Sequence, residues 1–228
     1  MCPCRRSWPD SDSFMRESSE KNIFLKQDRI NAGPRGFSLV EMLIAVAVGL
    51  VVLGAMYSVF TIQNKTFGNQ EEIVVMQQSV RAGMDMMARE IGMAGYDPTR
   101  VNADTDSTNN FSGVTVSSSQ LQIKADLDGS GTIDLTSQEN IIYAYDATNK
   151  RITRYIGAGA QVFVENVDAF SFEFLDGGGS VTPASVDVRQ IRITITGRTA
   201  KPDLNYPANG GYRRYTLTSL IAPRNLAF

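Results

Sequence analysis

One predominantly apolar run, residues 37–60, constrains this chain more than any other feature of its sequence. The run has 24 residues, and Glu41 is its only charged side chain. As an α-helix rising 1.5 Å per residue it would extend about 36 Å, enough to cross a hydrocarbon core of roughly 30 Å. A secretory signal peptide does not fit, because its apolar region spans only about 7–15 residues and ends at a small-residue cleavage site. We therefore predict one membrane-spanning helix over residues 37–60.

Basic residues flank this run unequally. Four lie in the 20 residues before it and one in the 20 residues after it: Lys21, Lys26, Arg29 and Arg35 against Lys65. Because lysine and arginine favour the cytoplasmic side, the pattern predicts a cytoplasmic N-terminus and a C-terminal part on the outer side of the membrane. That part contains no cysteine, so it must fold without disulfides in an oxidising compartment.

The inventory of reactive side chains argues against an enzyme. The chain has no histidine, and its only cysteines are Cys2 and Cys4. Zinc sites, histidine-based catalytic triads and a cysteine nucleophile are therefore excluded from the body of the protein. The net charge of −2 gives no basic footprint for nucleic acid. We expect neither catalysis nor nucleic-acid binding.

Beyond residue 60 the apolar pattern becomes one-sided and then alternating. Six apolar residues recur at intervals of three and four, as on one face of a helix: Ile73, Met76, Val80, Met84, Met87 and Ile91. This pattern predicts that the helix continues over residues 61–94, with the stripe in the core. Eight β-rich stretches follow a polar loop: 113–117, 121–125, 140–145, 151–155, 161–165, 169–175, 188–197 and 213–221. Residues 95–228 are therefore predicted to form a β-rich domain, which makes the fold class α+β.

The start of the apolar run also carries a specific motif. Its sequence, RGFSLVEMLIA, resembles the processing signal of type IV prepilins and pseudopilins. The resemblance implies that residues 1–36 are a leader, that a prepilin peptidase cuts between Gly36 and Phe37, and that the new N-terminus is methylated. The leader is long and holds five acidic residues, and Met15 is an alternative start that would shorten it to 22 residues.

This resemblance gives Glu41 a function that a membrane span alone does not. An acidic side chain deep in a bilayer costs roughly 2.5–3.5 kcal/mol. Cleavage would create a charged amine on Phe37, and two opposite charges about 4 Å apart gain on the order of 4 kcal/mol at an effective dielectric near 20. We expect Glu41 of one subunit to face the Phe37 amine of a neighbour in a filament and to help set the register of packed helices. The alternative is an uncleaved signal anchor whose glutamate reaches the membrane surface.

Later segments narrow the resemblance to the PilW-type minor pilins. These segments are QSVRAGMDMMAREIGMAGYDP, ADLDGSGTIDLTSQENIIYAYD, ENVDAFSFEFLD and the terminal APRNL. The resemblance implies a pilin fold, in which a long N-terminal helix with a membrane-spanning first half packs on an antiparallel β-sheet domain. It also implies a single-pass inner-membrane precursor that later joins other minor and major pilins in a filament or its tip.

A minor pilin of this kind would take part in pilus assembly or priming, and such filaments serve motility and cell adhesion. Two alternatives stay open. One is a minor pseudopilin of a type II secretion system, which would carry the same processing signal. The other is a tip adhesin or calcium-responsive binding module built from the sheet domain.

The loop DLDGSGTIDLTSQE, residues 126–139, has the spacing of a calcium-binding loop. Its candidate ligands are Asp126, Asp128, Ser130, Thr132, Asp134 and Glu139. The first five fall at positions 1, 3, 5, 7 and 9 of an EF-hand-like loop. Glu139 arrives two residues after the usual twelfth position, and the flanks are predicted strands rather than helices. The alternative is a polar turn between two strands that needs no metal, and we expect no other cofactor.

Overall fold

The computed structural model describes residues 36–103 and 107–226. The chain divides into two compact units, Met1–Leu53 and Gly54–Phe228. One helix, α1, runs over Leu39–Gly92 and contributes residues to both units. Apart from Gly36, the predicted leader lies outside the described residues.

In the first unit, the described chain is the start of α1. Ser38 precedes the helix, and its hydroxyl oxygen accepts a hydrogen bond from the backbone N–H of Glu41 at 3.2 Å. This N-cap satisfies one of the free N–H groups that every helix start leaves. The side chains of this stretch are exposed, and α1 contains a segment long and apolar enough to cross a membrane. An apolar surface of this extent needs lipid or other protein around it.

In the second unit, the predicted apolar stripe of α1 lies in the core. Met76, Val80, Met84, Met87 and Ile91 are buried, and Ile73 is half-buried. The helix ends at Gly92, two residues before the predicted end. There the N–H of Met93 donates to the carbonyl of Glu90 at 3.1 Å, and the N–H of Ala94 donates to that of Ile91 at 3.0 Å. These bonds span three residues instead of four, so the chain tightens and leaves the α-helix.

Five strands form an antiparallel sheet in which each strand pairs with the next one along the chain. They are β1 (Val114–Thr115), β2 (Gln120–Lys124), β3 (Asn140–Asp146), β4 (Arg151–Tyr155) and β5 (Ala160–Glu165). In β2 the buried residues alternate with half-buried ones, as expected for a strand with one face on the core.

Three longer strands form a second antiparallel sheet in the order β6-β7-β8. They are β6 (Val167–Leu175), β7 (Gln190–Arg198) and β8 (Arg214–Ile221). Across the first pair, Phe170, Phe172 and Phe174 lie opposite Ile195, Ile193 and Ile191. The three isoleucines and Phe174 are buried, and the other two phenylalanines are half-buried against the core. The alternating pattern in the sequence therefore marks the inner face of this sheet.

The sequence predicts an antiparallel sheet without dividing it, and the structure shows two sheets. The division falls at Asn166, which lies between β5 and β6 with a φ of 56°. Asparagine tolerates this left-handed conformation better than most residues. The N–H of Val167 donates to the Lys150 carbonyl, and the N–H of Arg198 donates to the Asn166 carbonyl, both at 2.8 Å. The turn is therefore held by backbone groups on either side of it.

Two glycines let α1 approach the strands closely. A Cβ at Gly83 would lie 2.5 Å from Cγ2 of Val164 on β5, and a Cβ at Gly197 would lie 2.5 Å from Cγ2 of Val80. Either methyl group would push the helix away from the strand it touches. The predicted α+β class is confirmed, with a long N-terminal helix packed on an antiparallel β-sheet domain.

Candidate functional site

The predicted processing and assembly residues lie at the start of α1. Gly36 and Phe37 precede the helix, and Glu41 lies in its first turn. All three are exposed in the described part of the chain. The peptide bond between Gly36 and Phe37 therefore lies outside regular secondary structure. Within the described residues, the Glu41 carboxylate has no hydrogen-bond or ion-pair partner, so it is available to another molecule.

A second role of Glu41 was missed from the sequence. Ser38 and Glu41 have the spacing of a capping box, in which a serine before the helix is followed three residues later by a glutamate. The structure contains the serine half of this motif, because Ser38 accepts the hydrogen bond from the Glu41 N–H. A negative charge in the first turn also stabilises the helix dipole by typically 0.3–1 kcal/mol at exposed sites. Glu41 thus contributes to the helix start as well as offering a free carboxylate.

In the 126–139 loop, the first candidate calcium ligand is fully buried. Asp126 Oδ1 accepts hydrogen bonds from the N–H groups of Gly129 at 2.8 Å and Ser130 at 3.1 Å. Its Oδ2 accepts from the N–H of Gly131 at 2.9 Å and from the Thr99 hydroxyl at 3.4 Å. A single carboxylate therefore holds three consecutive N–H groups at the sharpest part of the loop.

Glu139 performs the same task from the other end of the loop. Its Oε1 accepts from the N–H groups of Leu127 at 2.9 Å and Asp128 at 3.2 Å. Its Oε2 accepts from the N–H of Asp134 at 2.8 Å. Because Glu139 is buried, these hydrogen bonds replace the water that its charge would otherwise need. Asp126 and Glu139 together hold six backbone N–H groups of the loop.

The other four candidate ligands lie nearer the surface. Hydrogen bonds from Ser130, led by its backbone N–H at 2.8 Å, lower the pKa of Asp128 below its usual range. The hydroxyl and N–H of Thr136 donate to Asp134 at 2.7 and 2.8 Å and lower the pKa of that carboxyl in the same way. The carbonyl of Thr132 accepts from the Ser130 hydroxyl at 2.9 Å. Each of these groups thus has a partner within the loop.

The loop brings three of the six candidate ligands together. Carboxylate oxygens of Asp126, Asp128 and Glu139 lie within 4.8 Å of one another, which suits a cation. Calcium takes six to eight oxygens and would compete with the N–H groups that two of these carboxylates already bind. The strands β2 and β3 flank the loop, as predicted, so it is not a helix–loop–helix EF-hand. The calcium site stays a prediction, and hydrogen bonding explains the acidic residues without it.

A buried ion pair that the sequence did not predict joins α1 to the first sheet. Arg154 of β4 donates to both carboxylate oxygens of Glu90, at 2.7 Å through Nη2 and at 3.2 Å through Nε. The hydroxyl of Tyr143 on β3 also donates to Glu90. The side chains of Glu90 and Arg154 are only 9% and 13% exposed. A bidentate pair of this kind fixes both the position and the orientation of the helix on the sheet.

Burial and the adjacent Glu90 carboxylate raise the pKa of the Tyr143 hydroxyl, so it stays protonated and donates. The only signal in the sequence is the position of Glu90 on the helix. It lies three residues after Met87 and directly before Ile91, and it is therefore on the apolar side. A charged residue in that position needs a buried partner, but the sequence does not tell which one.

Two family models match the chain. The prokaryotic N-terminal methylation motif matches residues 32–57, and prepilin peptidase-dependent protein B matches residues 69–214, which are 146 of the 228 residues. No curated protein matches the chain significantly. Among solved structures, the chain is similar to a type IV-like pilin from Thermus thermophilus, with a TM-score of 0.41 and 14% sequence identity. That alignment covers 66% of this chain and 98% of the other.

Proposed function

Since the chain belongs to the family of prepilin peptidase-dependent protein B, we propose that it is a minor type IV pilin. In this proposal, prepilin peptidase cuts between Gly36 and Phe37, the new N-terminus is methylated, and the mature chain assembles with other minor and major pilins. The observation that carries the proposal is an order of features along the chain. A methylation motif over residues 32–57 contains the exposed apolar start of α1, and a folded domain packs on the rest of that helix.

The membrane stage of the proposal rests on the apolar helix. Before cleavage, the precursor would be a single-pass protein of the inner membrane, with its N-terminus in the cytoplasm and the β-rich domain in the periplasm. The fourfold excess of basic residues before residues 37–60 supports this orientation. The exposed apolar side chains along the helix support insertion, because lipid is the environment in which they cost least.

In a filament, the exposed apolar side chains at the start of α1 need a cover other than lipid. Once the mature chain leaves the membrane, helices of neighbouring subunits would cover it. The free carboxylate of Glu41 would then pair with the Phe37 amine of a neighbour and align the two helices. Burial of an unpaired glutamate among apolar helices would be unfavourable, so this pairing favours one register over others.

We propose a structural rather than a catalytic role for the β-rich domain. Its most buried acidic side chains support this, because Glu90, Asp126 and Glu139 are engaged in contacts that hold the domain together. The chain also lacks histidine, and its two cysteines precede the proposed cleavage site. The domain would act through its surfaces, as a subunit that other pilins bind.

Complementation of a deletion strain tests the proposal. The wild-type chain should restore surface pili and should be present in filaments sheared from the cells. Gly36→Leu should leave the chain uncleaved in the membrane fraction and should not restore pili, whereas the smaller change Gly36→Ala should retain part of the function. Normal pili with lost protein export would instead favour a pseudopilin, and normal pili with lost adhesion would favour a tip adhesin. A deletion that alters none of these would refute the proposal.

A further inference from the structure

The loop between β7 and β8, residues 199–213, lies beside the part of α1 that follows the apolar run. The N–H of Ala200 donates to Oε2 of Glu72 at 3.1 Å. Farther along the loop, Asp203 and Leu204 line one shallow pocket together with Asn69 of α1. These contacts fix the 199–213 loop next to the helical residues just beyond residue 60. The loop therefore lies beside residues 65–72 of α1.

The 199–213 loop is held in shape by its own contacts. Asp203 is buried and accepts from the N–H of Asn205 at 3.0 Å and from Nη2 of Arg213 at 3.1 Å. The N–H of Asp203 donates to the Gly211 carbonyl at 2.8 Å. The Arg213 guanidinium also lies over the ring of Tyr206, 4.6 Å from its centre. The tip of the loop is consequently displayed by an ordered scaffold.

The exposed side chains at this loop and on the adjacent part of α1 include one leucine and two lysines. Leu204 is 97% exposed, the largest exposed fraction of any large apolar side chain among the described residues. Lys201 is 84% exposed and lies 4.0 Å from the Glu72 carboxylate. Lys65, on the neighbouring turn of α1, is also exposed and lines the same shallow pocket as Leu204. An exposed leucine with lysines on the same loop and on the adjacent helix suits the boundary between lipid chains and anionic headgroups.

The distance of Lys65 from the bilayer core follows from the rise per residue of α1. Lys65 comes five residues after Phe60, the end of the apolar run, so it lies about 7.5 Å farther along the axis. The polar headgroup layer is roughly 5–7.5 Å thick on each face of a bilayer. Lys65 thus lies at the outer edge of the headgroup layer, and Leu204 lines the same pocket as Lys65.

We propose that the tip of the 199–213 loop, with Leu204, Lys201 and Lys65, binds the anionic surface of the membrane that holds the helix. This proposal rests on the proposed function, since it requires the chain to be anchored as a precursor. Lipid fits better than a second copy of the chain, because a specific protein interface needs about 20–30 residues on each side. One apolar side chain and two lysines are enough for a membrane contact that the helix already tethers.

The contact would hold the domain against the membrane until the subunit is drawn into a filament.

The contact between the loop and lipid can be measured on the full chain with Cys2→Ser and Cys4→Ser, reconstituted into vesicles of phosphatidylethanolamine and phosphatidylglycerol. A fluorophore is attached at Asn205→Cys, which leaves Leu204 in place, and brominated lipid serves as the contact quencher. A label at Val186→Cys, an exposed site 77% accessible in a separate loop, is the matched negative control. A label at Val59→Cys, in the apolar run, reports insertion of the helix.

We expect brominated lipid to quench the Asn205 label about twofold or more, because insertion of Leu204 at the boundary between headgroups and lipid chains brings the adjacent label against those chains. The Val186 label should stay unchanged. Leu204→Asp with Lys201→Glu should abolish quenching of the Asn205 label. Vesicles of phosphatidylcholine alone should reduce that quenching. Both substituted side chains are exposed, so these changes should not unfold the domain.

Three outcomes would overturn the proposal. If Val59 is quenched and Asn205 is not, the loop does not touch lipid and the membrane anchoring of the proposed function survives. If neither site is quenched, the anchoring fails together with the loop contact. If the Asn205 signal depends on the ratio of protein to lipid rather than on brominated lipid, the partner of the loop is another protein chain.

Discussion

Removal of Glu90 should cost the β-rich domain much of its stability. In Glu90→Ala, the Arg154 guanidinium would stay buried without its carboxylate, and the Tyr143 hydroxyl would lose its acceptor. Breaking a buried pair by removing one partner costs about 3–5 kcal/mol, and an orphaned buried hydroxyl costs about 1–3 kcal/mol. Because the two costs overlap in one network, we expect a total of about 4 kcal/mol, against a typical stability of about 5–15 kcal/mol.

Pulse proteolysis in urea, with the full chain in detergent micelles, would measure this loss. At a urea dependence of about 2 kcal/mol per molar, a loss of 4 kcal/mol lowers the unfolding midpoint by about 2 M. The matched control is Glu173→Ala, which removes the partner of Arg192 in a pair that is nearly half exposed on both sides. Exposed pairs contribute about 0–1 kcal/mol, so this midpoint should move little.

A double variant distinguishes the cost of an unpaired buried charge from other effects of the substitution on stability. Glu90→Gln with Arg154→Met removes both buried charges, and it should recover a large part of the stability that Glu90→Ala loses. If Glu90→Ala moves the midpoint no more than Glu173→Ala does, the network does not hold α1 on the first sheet. Equal losses for the single and double variants would also refute the reasoning, because the penalty would then not come from an unpaired charge.

Three other predictions follow from the described contacts. Glu41→Ala should insert into membranes as well as the wild type and fail to enter filaments, since it removes a charge that opposes insertion and pairs with a neighbour; incorporation at wild-type levels would contradict this. If the 126–139 loop binds calcium, the ion should raise the melting midpoint of the full chain and Asp128→Ala should abolish that rise; equal midpoints with calcium and with chelator would leave the loop as a hydrogen-bonded turn. The pKa of Asp203 is lowered by the Asn205 N–H and Arg213, so its stabilisation is present above the unfolded pKa near 3.8 and is lost as pH falls through the folded value. Acid melts should therefore show a smaller pH dependence for Asp203→Asn.

Much of the fold was predictable because its signals are local. The stripe from Met76 to Ile91 repeats with the period of a helix, and it is buried as that period requires. The isoleucines of β7 alternate with polar residues, and all three are buried. All eight predicted stretches contain strands, and their ends differ from the prediction by a few residues.

The division into two sheets was not predictable, because the stretches on both sides of Asn166 look like strands. Asn166 has a positive φ at the point where the chain passes from the first sheet to the second, and the sequence does not specify that conformation. The Glu90–Arg154 pair was missed for a related reason. Its members are 64 residues apart, and an apolar pattern indicates which face is buried without indicating which charged groups meet there.

The two candidate sites also differ in how far their sequences predict them. The motif around Gly36 and Phe37 is contiguous, so its resemblance could be identified directly, and the predicted relationship to type IV pilin-like proteins is confirmed. Cleavage between Gly36 and Phe37 stays a prediction. The narrower resemblance to PilW-type minor pilins stays a prediction. In the 126–139 loop, the acidic spacing indicated a cation, whereas the orientation of Asp126 and Glu139 toward backbone N–H groups depends on how the loop closes. That orientation cannot be derived from spacing.

Mass spectrometry of the N-terminal peptide tests the central claim most directly. The chain would be recovered from the membranes of cells that contain the prepilin peptidase, and from filaments sheared off the same cells. The account predicts a mature N-terminus at Phe37 that carries one methyl group, with no leader peptide in the filament fraction. Cells without the peptidase should give the leader-bearing chain in the membranes alone. An intact leader on chains recovered from filaments, or cleavage at any other bond, would contradict the account.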